Sequence, residues 1–285
     1  LAYVAESQIG RRYFTLNSKQ STNLASINSM QLKDFCFPLP PLPEQRCIAD
    51  ILGTWDRAIR ALAQQIEQKG AVRSFLREAL LHGLRRLKGF RGPWPMVTLG
   101  EVTRQLTQRN VGRFTRDRVM GVTKANGLVP MKEHVIADEI GRYLILPPGA
   151  FAYNPMRLNI GSIVMSDLDE DVIVSPDYVV FACNRKRLHP RFLDHLRWTK
   201  AWADFMAIAG NGSVRVRIYY AGLADLEFHL PPLPEQEAII EVLDDAEREI
   251  AALTAERRAL ERQRDALASE LLSGRLRVTL TETVA

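Results

Sequence analysis

Two stretches of the chain place residues of an apolar stripe alternately four and three positions apart, the spacing of a coiled-coil helix. The first stripe comprises Ile48, Leu52, Trp55, Ile59, Leu62, Ile66, Lys69, Arg73, Leu76 and Leu80. The second comprises Ile239, Leu243, Ala246, Ile250, Leu253, Arg257, Leu260, Arg264, Leu267 and Leu271. This periodicity predicts two helices of about 35 residues, each about 50 Å long.

The two stripes belong to a duplicated unit. Pro40–Gln45 reads Pro-Pro-Leu-Pro-Glu-Gln, and the same six residues recur as Pro231–Gln236 at an offset of 191. This offset also relates residues on both sides of the motif: Ile27, Leu32, Asp34, Phe37, Leu80, Leu81 and Gly83 correspond to Ile218, Leu223, Asp225, Phe228, Leu271, Leu272 and Gly274.

Proline and glycine mark the ends of the predicted helices. Pro43 and Pro234 suit a first helical turn, where a missing N–H has no cost. Gly83 and Gly274 follow the last stripe residues, where a glycine typically ends a helix.

Charge favours pairing of the first helix with the second. Ten basic and five acidic residues give 39–92 a net charge of +5, whereas seven basic and twelve acidic residues give 231–285 a net charge of −5. Opposite charge favours this pair over self-pairing. Two surface helices packed separately on a globular core are the alternative.

Residues 93–230 lack the long helical period and predict a mixed α/β domain. Turn residues separate short β-like runs at 96–99, 118–122, 143–146, 150–153, 160–165 and 178–182. One helix is predicted from about Pro190 to Ile208, and Val214–Tyr220 alternates arginine with apolar residues.

The same offset aligns residues 1–21 with 192–212, so the chain is expected to open on the end of another such domain. We predict four segments: the remnant of a first domain (1–38), a first helical spacer (39–92), a complete second domain (93–230) and a second spacer (231–285). The fold class is therefore α+β, a mixed α/β domain flanked by two long helices paired as an antiparallel coiled coil.

Composition narrows the class of protein. The chain is 46% hydrophobic and 25% charged, as is usual for folded proteins. Its three cysteines form no C-x-x-C pair, which argues against a disulfide scaffold or zinc site and fits a reducing cytoplasm. We detect no leader peptide and no apolar run of about 18 residues. The net charge of +5 permits a nucleic-acid partner.

Motifs for catalysis are missing from the sequence. The five histidines have no ligand spacing, and no Walker loop, dinucleotide-binding loop or HExxH motif occurs. The acidic run Asp167–Asp171 suggests a solvated loop rather than a nuclease metal site. We therefore predict a binding protein without catalytic residues or a metal.

Candidate DNA contacts cluster in turns of the second domain, because Arg and Asn side chains make bidentate contacts with bases. The candidates are Lys124, Asn126, Asn154, Arg157, Asn159, Ser162, Arg215 and Arg217. Further arginines, suited to phosphates, are Arg113, Arg116, Arg118 and Arg142. Each taken singly is also compatible with a solvated surface position.

The duplicated Pro-Leu-Pro-Glu-Gln segment before a long helix resembles the specificity subunit of type I restriction–modification systems. In that family two target-recognition domains alternate with two helical regions. Tyr153–Arg157, Gly161-Ser162 and Val174–Tyr178 are similar to stretches of the recognition domains, and Tyr143–Gly149 resembles the run before them.

This resemblance implies a non-catalytic, cytoplasmic subunit that reads double-stranded DNA at a bipartite target. Modification (adenine methyltransferase) subunits and a restriction/translocase subunit are the implied protein partners. S-adenosylmethionine, ATP and Mg²⁺ are expected in those partners, and no cofactor is expected in this chain. The candidate partner contacts are Pro41, Leu42, Pro43, Glu44, Gln45, Pro232, Leu233, Pro234, Glu235 and Gln236.

The near-absence of a first recognition domain leaves two further hypotheses. The chain reads one half-site, alone or as a homodimer on an inverted repeat. Alternatively, it is a truncated assembly scaffold that binds modification subunits without reading DNA.

Overall fold

The computed structural model describes residues 1–21, 24–209 and 217–278. These divide into two compact units: unit 1 is Leu1–Gly70 with Arg248–Ala285, and unit 2 is Ala71–Glu247. The boundaries differ from the four predicted segments because each long helix contributes to both units. None of the described helices is long and apolar enough to cross a membrane.

The elements follow in chain order. The helices are α1 (Ala2–Glu6), α2 (Gln8–Asn17), α3 (Ser29–Lys33), α4 (Leu42–Leu81), α5 (Leu99–Val102), α6 (Pro190–Leu196), α7 (Lys200–Ala209), α8 (Tyr220–Ala224) and α9 (Leu233–Leu272). The strands are β1 (Lys19–Ser21), β2 (Leu24–Ser26), β3 (Met96–Thr98), β4 (Thr103–Leu106), β5 (Val119–Thr123), β6 (Gly127–Pro130), β7 (Leu144–Leu146), β8 (Phe151–Tyr153), β9 (Ile163–Met165), β10 (Val172–Val174), β11 (Val179–Cys183) and β12 (Glu227–His229).

The two predicted long helices are confirmed as α4 and α9. Each has 40 residues and begins one residue before its proline, and their bounds differ by the same 191 positions. Gly83 and Gly274, with φ of 66° and 77°, take the left-handed backbone conformation that terminates a helix. At 1.5 Å per residue each helix is about 60 Å long.

Unit 1 is built on the antiparallel pairing of the first part of α4 with the last part of α9. Ile48 and Leu52 pack with Ala268 and Leu271 in its core. Every predicted stripe position in both helices is buried or half-buried, so the coiled-coil register is confirmed. Ion pairs join Lys69 to Glu249 (2.7 Å), Asp56 to Arg264 (3.0 Å) and Glu44 to Arg277 (2.6 Å).

Unit 2 contains two four-stranded sheets, ordered β6-β5-β10-β7 and β4-β11-β8-β9. All pairs are antiparallel except β5 with β10. Leu144 and Leu146 of β7 pack with Ala152 and Val180 of the other sheet, while Ile145 faces a second cluster. Alternate residues are thus buried on both faces, as the period of a strand requires.

A helical layer completes the core of unit 2. Phe192 and Leu193 of α6 and Trp202 of α7 pack with Leu80 of α4 and Leu243 of α9. The short pair β12-β3 and helices α5 and α8 close this layer at its edge.

The predicted helix 190–208 is in fact two helices, α6 and α7. The break lies at Arg197–Thr199, where Thr199 Oγ1 accepts the Trp202 N–H at 3.4 Å and starts a new helix. The predicted run 214–220 extends one residue too far, because α8 begins at Tyr220. Residues 214–216 of that run lie outside the described residues.

Candidate nucleic-acid interface

The turn after β8 presents polar side chains on a fixed backbone. Asn154 Oδ1 accepts the Met156 N–H at 2.9 Å, and Leu158 is buried beneath the turn. Gly161, with φ of 86°, supplies the left-handed conformation that leads back towards β9. These contacts hold the turn rigid. Arg157 and Asn159 are exposed on it.

The β5–β6 hairpin turn lies against this first turn. Lys124 and Asn126 are exposed, and Thr123 Oγ1 accepts the Asn126 N–H at 3.1 Å. The Lys124 side chain passes over Gly161: a Cβ placed on that glycine would be 3.5 Å from Lys124 Cε. The structure therefore brings together two predicted groups that lie about 30 residues apart in the sequence.

A third segment joins the same place. The Ile218 N–H donates to the Pro155 carbonyl at 3.1 Å, and the Ile218 side chain is buried. This contact places the exposed Arg217 beside the turn after β8. Arg215 lies outside the described residues. We define the recognition face as Lys124, Asn126, Asn154, Arg157, Asn159 and Arg217.

Ser162 is not part of this face. It is 5% exposed, and its Oγ lies 3.5 Å from the Val122 carbonyl oxygen, so the hydroxyl is directed towards β5. The prediction that Ser162 contacts DNA is corrected on this ground. Its chain neighbour Gly161, not Ser162, faces the other turn.

Within the described ranges, the cations of the recognition face have no protein partner. Among the described residues, the side chains of Lys124, Arg157 and Arg217 form no hydrogen bond or ion pair. An exposed cation without an ion-pair partner leaves its charge available to a polyanion. Contact with a phosphate then breaks no hydrogen bond or ion pair within the protein.

Three of the four arginines predicted to hold phosphates are engaged within the protein. Arg116 donates to the carbonyls of Ala137 and Ile136 at 2.8 and 3.2 Å, which ties down the loop before β7. Arg118 pairs with Glu170, and Arg113 pairs with Asp171 at 3.3 Å. Arg142 is exposed. The acidic run Asp167–Asp171 is therefore a loop in which Glu170 and Asp171 form ion pairs with arginines.

One cluster in the described chain has the spacing of metal ligands: His195, Asp244 and Glu247. Arg191 donates to both carboxylates, at 2.8 and 2.6 Å, and Arg77 donates to Glu247 at 2.9 Å. Burial lowers the pKa of His195, whose Nε2 lies 2.8 Å from Asp244. The arginines already neutralise the carboxylates, so this cluster is a structural link between α6 and α9.

The proline-led segments divide into exposed and buried positions. Pro41, Leu42, Pro43, Pro232 and Pro234 are exposed and Leu233 is half-buried, whereas Glu44, Glu235 and Gln236 are buried. The Gln45 and Gln236 side-chain amides each donate at 2.8 Å to the first proline carbonyl of their own motif. The buried members of the set therefore shape the segments and are removed from the candidate contact surface.

Sequence reasoning missed a pair of equivalent ion pairs. Glu235 accepts two hydrogen bonds from Arg86, at 2.6 and 2.7 Å, and Glu44 accepts two from Arg277 at the same distances. The two pairs are related by the 191-residue offset. Extending the repeat alignment past Gly83 and Gly274 would have found both arginines.

Comparisons with known proteins bear on the whole chain. Residues 9–69 match the family described as the type I restriction modification DNA specificity domain. A protein described as the MjaX specificity subunit of a type I restriction enzyme, from Methanocaldococcus jannaschii, is 24% identical over 98% of this chain and 68% of its own length. The MjaVIII specificity subunit of the same organism is 23% identical over 93% of this chain and 68% of its own length.

Solved structures share the fold. The S subunit of a type I system from M. genitalium matches 98% of this chain and 72% of its own, with a TM-score of 0.59 at 14% identity. A structure of a type I restriction–modification complex matches 96% of this chain and 70% of its own, with a TM-score of 0.54 at 18% identity. The resemblance to the specificity subunits of type I restriction–modification systems, first indicated by the repeated Pro-Leu-Pro-Glu-Gln segment, is thereby confirmed in sequence and in fold.

Proposed function

We propose that this chain is the DNA-recognition subunit of a type I restriction–modification complex, without catalytic activity of its own. The observation that carries the proposal is the recognition face. Three segments distant in the sequence meet there, and they expose the amides of Asn126 and Asn159 together with cations that have no partner among the described residues.

The geometry suits direct readout of a duplex. Arg157 and Asn159 stand on a rigid turn, and arginine and asparagine are suited to bidentate contacts with guanine and adenine in the major groove. Lys124 and Arg217 flank that turn and supply charge for phosphates, which positions the turn along the groove. Unit 2 thus contains one reading surface in its described part, enough for one half of a bipartite target.

The relatives' names support an assembly in which other subunits perform the chemistry. On this proposal, adenine methyltransferase and restriction subunits join the chain in the cytoplasm and carry S-adenosylmethionine, ATP and Mg²⁺. The exposed prolines that precede α4 and α9 are the proposed contacts for the modification subunits.

Selection from a randomised duplex pool with the purified chain tests DNA reading. We expect an enriched sequence that binds more tightly than a scrambled duplex by at least tenfold in fluorescence anisotropy. Arg157→Ala is expected to weaken binding of the enriched duplex about 5- to 150-fold, since a good bidentate contact is worth about 1–3 kcal/mol.

Lys186→Ala is the matched control, because Lys186 is an exposed cation away from the recognition face. The first residue of β11, Val179, pairs with Tyr153 beside that face, whereas Lys186 follows the last residue of the strand, Cys183. Its affinity for DNA should equal that of the wild type within twofold. A folded chain that enriches no sequence, yet still binds a modification subunit, would instead establish the assembly scaffold without DNA reading.

A further inference from the structure

A tight turn in unit 2 holds a valine in a backbone conformation that favours glycine. Of the described residues other than glycine, Val111 is the one with a positive φ, 44°, and Gly112 follows it with a φ of 81°. The Arg113 N–H donates to the Asn110 carbonyl at 2.8 Å, which completes the pattern of a type I′ turn. Asparagine, aspartate and glycine are preferred at the two central positions of this turn, and a β-branched side chain there is strained.

Buried hydrogen bonds hold the turn in this conformation. Asn110 is 2% exposed; its side-chain amide donates to the Phe114 carbonyl at 2.9 Å, and its Oδ1 accepts the Phe114 N–H at 2.7 Å. The Asn110 N–H donates to the Tyr143 carbonyl at 2.8 Å. The Val111 N–H donates to the Gly141 carbonyl at 3.0 Å. Strain of this kind persists only where the surrounding structure enforces it, and it is concentrated at functional sites.

The enforced conformation presents an apolar side chain to solvent. Val111 is 82% exposed and belongs to none of the hydrophobic clusters that the described residues form. Its side chain therefore makes no core contact that would offset the strain, which a glycine at this position would relieve. A rigid, strained and exposed apolar side chain indicates a role in binding rather than in stability.

Two exposed arginines lie beside this turn. Arg109 Nη1 donates to the Arg142 carbonyl at 3.3 Å, which brings the two residues together. In the part of the chain that the structure describes, neither guanidinium forms an ion pair, and neither does the nearby carboxylate of Glu139. Both cations are therefore available to phosphates.

The Val111 turn and the recognition face lie at the same end of the β6-β5-β10-β7 sheet. Strand β5 runs towards this end, because its last residue, Thr123, leads into the hairpin turn of the recognition face. Strand β10 is parallel to β5 and β7 is antiparallel to β10, so β7 begins at this end, at Leu144. Arg109 forms a β-bridge with Leu144, and the Val111 turn continues from it past the start of β7.

The strand order gives the separation of the two contact points. Strands β5, β10 and β7 and the Arg109 segment are successive neighbours, so β5 and Arg109 are three strand spacings apart, or about 14 Å. The major groove of B-DNA is about 12 Å wide. With the recognition face centred in a major groove, the Val111 turn lies beyond the phosphate backbone that borders this groove, over the adjacent minor groove.

We propose that the Val111 turn is a second DNA contact, which places an apolar side chain in the minor groove next to the major groove read by the recognition face. Arg109 and Arg142 contact the phosphates that border the minor groove. Apolar side chains are the groups that minor-groove proteins insert against base steps. Because guanine adds an amino group to the floor of this groove, Val111 favours A·T pairs at its position. The inference rests on the proposed function and adds a specificity-determining residue to it.

Val111→Gly separates a DNA contact from a structural role. The substitution removes the side chain and relieves the strain, so the melting temperature should equal or exceed that of the wild type. In fluorescence anisotropy, affinity for the enriched duplex should fall about five- to tenfold, as expected for loss of a partly buried valine. A purely structural Val111 would leave this affinity unchanged.

Val135→Gly is the matched control, since Val135 is 58% exposed in the same unit. It follows the far end of β6, where the Met131 N–H donates to the carbonyl of Val119, the first residue of β5. Affinity of this variant for the enriched duplex should equal that of the wild type.

Modified DNA identifies the groove. Diaminopurine in place of adenine adds an amino group in the minor groove and leaves the major-groove edge of the base unchanged. It is introduced one position at a time into A·T pairs that flank the enriched sequence. At the position of Val111 it should weaken binding of the wild type by about threefold or more and leave binding of Val111→Gly unchanged, because the group that meets the amino group is gone.

The outcomes distinguish this inference from the proposed function. An enriched duplex that binds Val111→Gly as tightly as the wild type, or that responds to diaminopurine equally with both proteins, would overturn the inference and leave the proposed function intact. A folded wild-type chain that enriches no sequence would overturn both.

Discussion

A single buried carboxylate, that of Glu235, joins three parts of unit 2. It is 1% exposed and accepts hydrogen bonds from Arg86, in the segment after α4, and from Trp94, before β3. Because a buried charged partner left unpaired is costly, Glu235→Gln is expected to destabilise unit 2 by about 2 kcal/mol. Thermal unfolding followed by calorimetry measures the loss as a lower melting temperature.

The counterpart Glu44→Gln provides the comparison within the same chain. Arg277 is 65% exposed, whereas Arg86 is 26% exposed, so solvent screens the unit 1 ion pair more strongly. We expect Glu44→Gln to lower the melting temperature less than Glu235→Gln. Equal decreases in melting temperature would mean that burial of the ion pair does not determine how much it stabilises the protein.

His195 makes the stability of unit 2 dependent on pH. Burial lowers its pKa below the ordinary value of 6.5, so the folded protein holds the imidazole neutral beside Asp244. The unfolded state takes up the proton first, and stability that is complete above about pH 6.5 is lost as the pH falls below it. Urea unfolding between pH 5 and 8 is the measurement.

His195→Gln should reduce this dependence because one titrating group is removed, while burial also lowers the pKa of His189, whose contribution remains. His134→Gln is the control, since His134 is exposed and its removal should leave the wild-type slope. A wild-type unfolding free energy that does not change between pH 5.5 and 7.5 would contradict the assignment.

At the scale of elements, α4 contains a glycine in its interior. A Cβ placed on Gly70 would meet no atom within 4 Å, and its backbone is helical. Gly70→Ala is therefore expected to stabilise the protein by about 0.5–1 kcal/mol, because alanine loses less backbone entropy on entering a helix. Differential scanning calorimetry should show a higher melting temperature.

Gly83→Ala should have the opposite sign. Gly83 has a φ of 66°, and a Cβ there would lie 3.3 Å from the Trp94 ring. Strain and crowding then both destabilise the folded state. A Gly70→Ala variant that melts below the wild type would show that α4 requires the glycine for a reason other than helix propensity.

The elements also show what a sequence reveals by itself. The long helices were predictable because ten stripe positions in each repeat the same spacing, and no distant contact is needed to define them. Strands β4, β6 and β12 were missed because each contains polar or turn residues and is defined by its partner strand, and β10 was missed because its three apolar residues directly follow the acidic run assigned to a loop. The break at Arg197–Thr199 depends on one threonine hydroxyl, which periodicity does not reveal.

For the recognition face, the sequence predicted the residue types but not which segments lie together. Asn154, Arg157 and Asn159 are neighbours in sequence, and their residue types indicated base contacts. Their proximity to Lys124 and Arg217 comes from tertiary contacts at Gly161 and at the Pro155 carbonyl. For the same reason, burial removed Ser162 from the candidates without any local signal in the sequence.

For the whole molecule, the duplication predicts how many copies of a partner subunit one chain binds. Each unit contains one proline-led helix start, and Pro41, Pro43, Pro232 and Pro234 are all exposed. Two similar surfaces on one chain should bind two copies of the same partner. On the proposed function, native mass spectrometry of the complex with the cognate modification subunit should therefore show two modification subunits per chain.

Replacing an exposed proline tests each surface separately. Pro41→Glu adds a negative charge to the first surface, and Pro232→Glu does the same to the second. Each single variant should shift the population towards complexes with one modification subunit, and the double variant should bind none. A wild-type complex with one modification subunit, or single variants that still bind two, would show that the duplicated helix starts are not the contacts that recruit the partner.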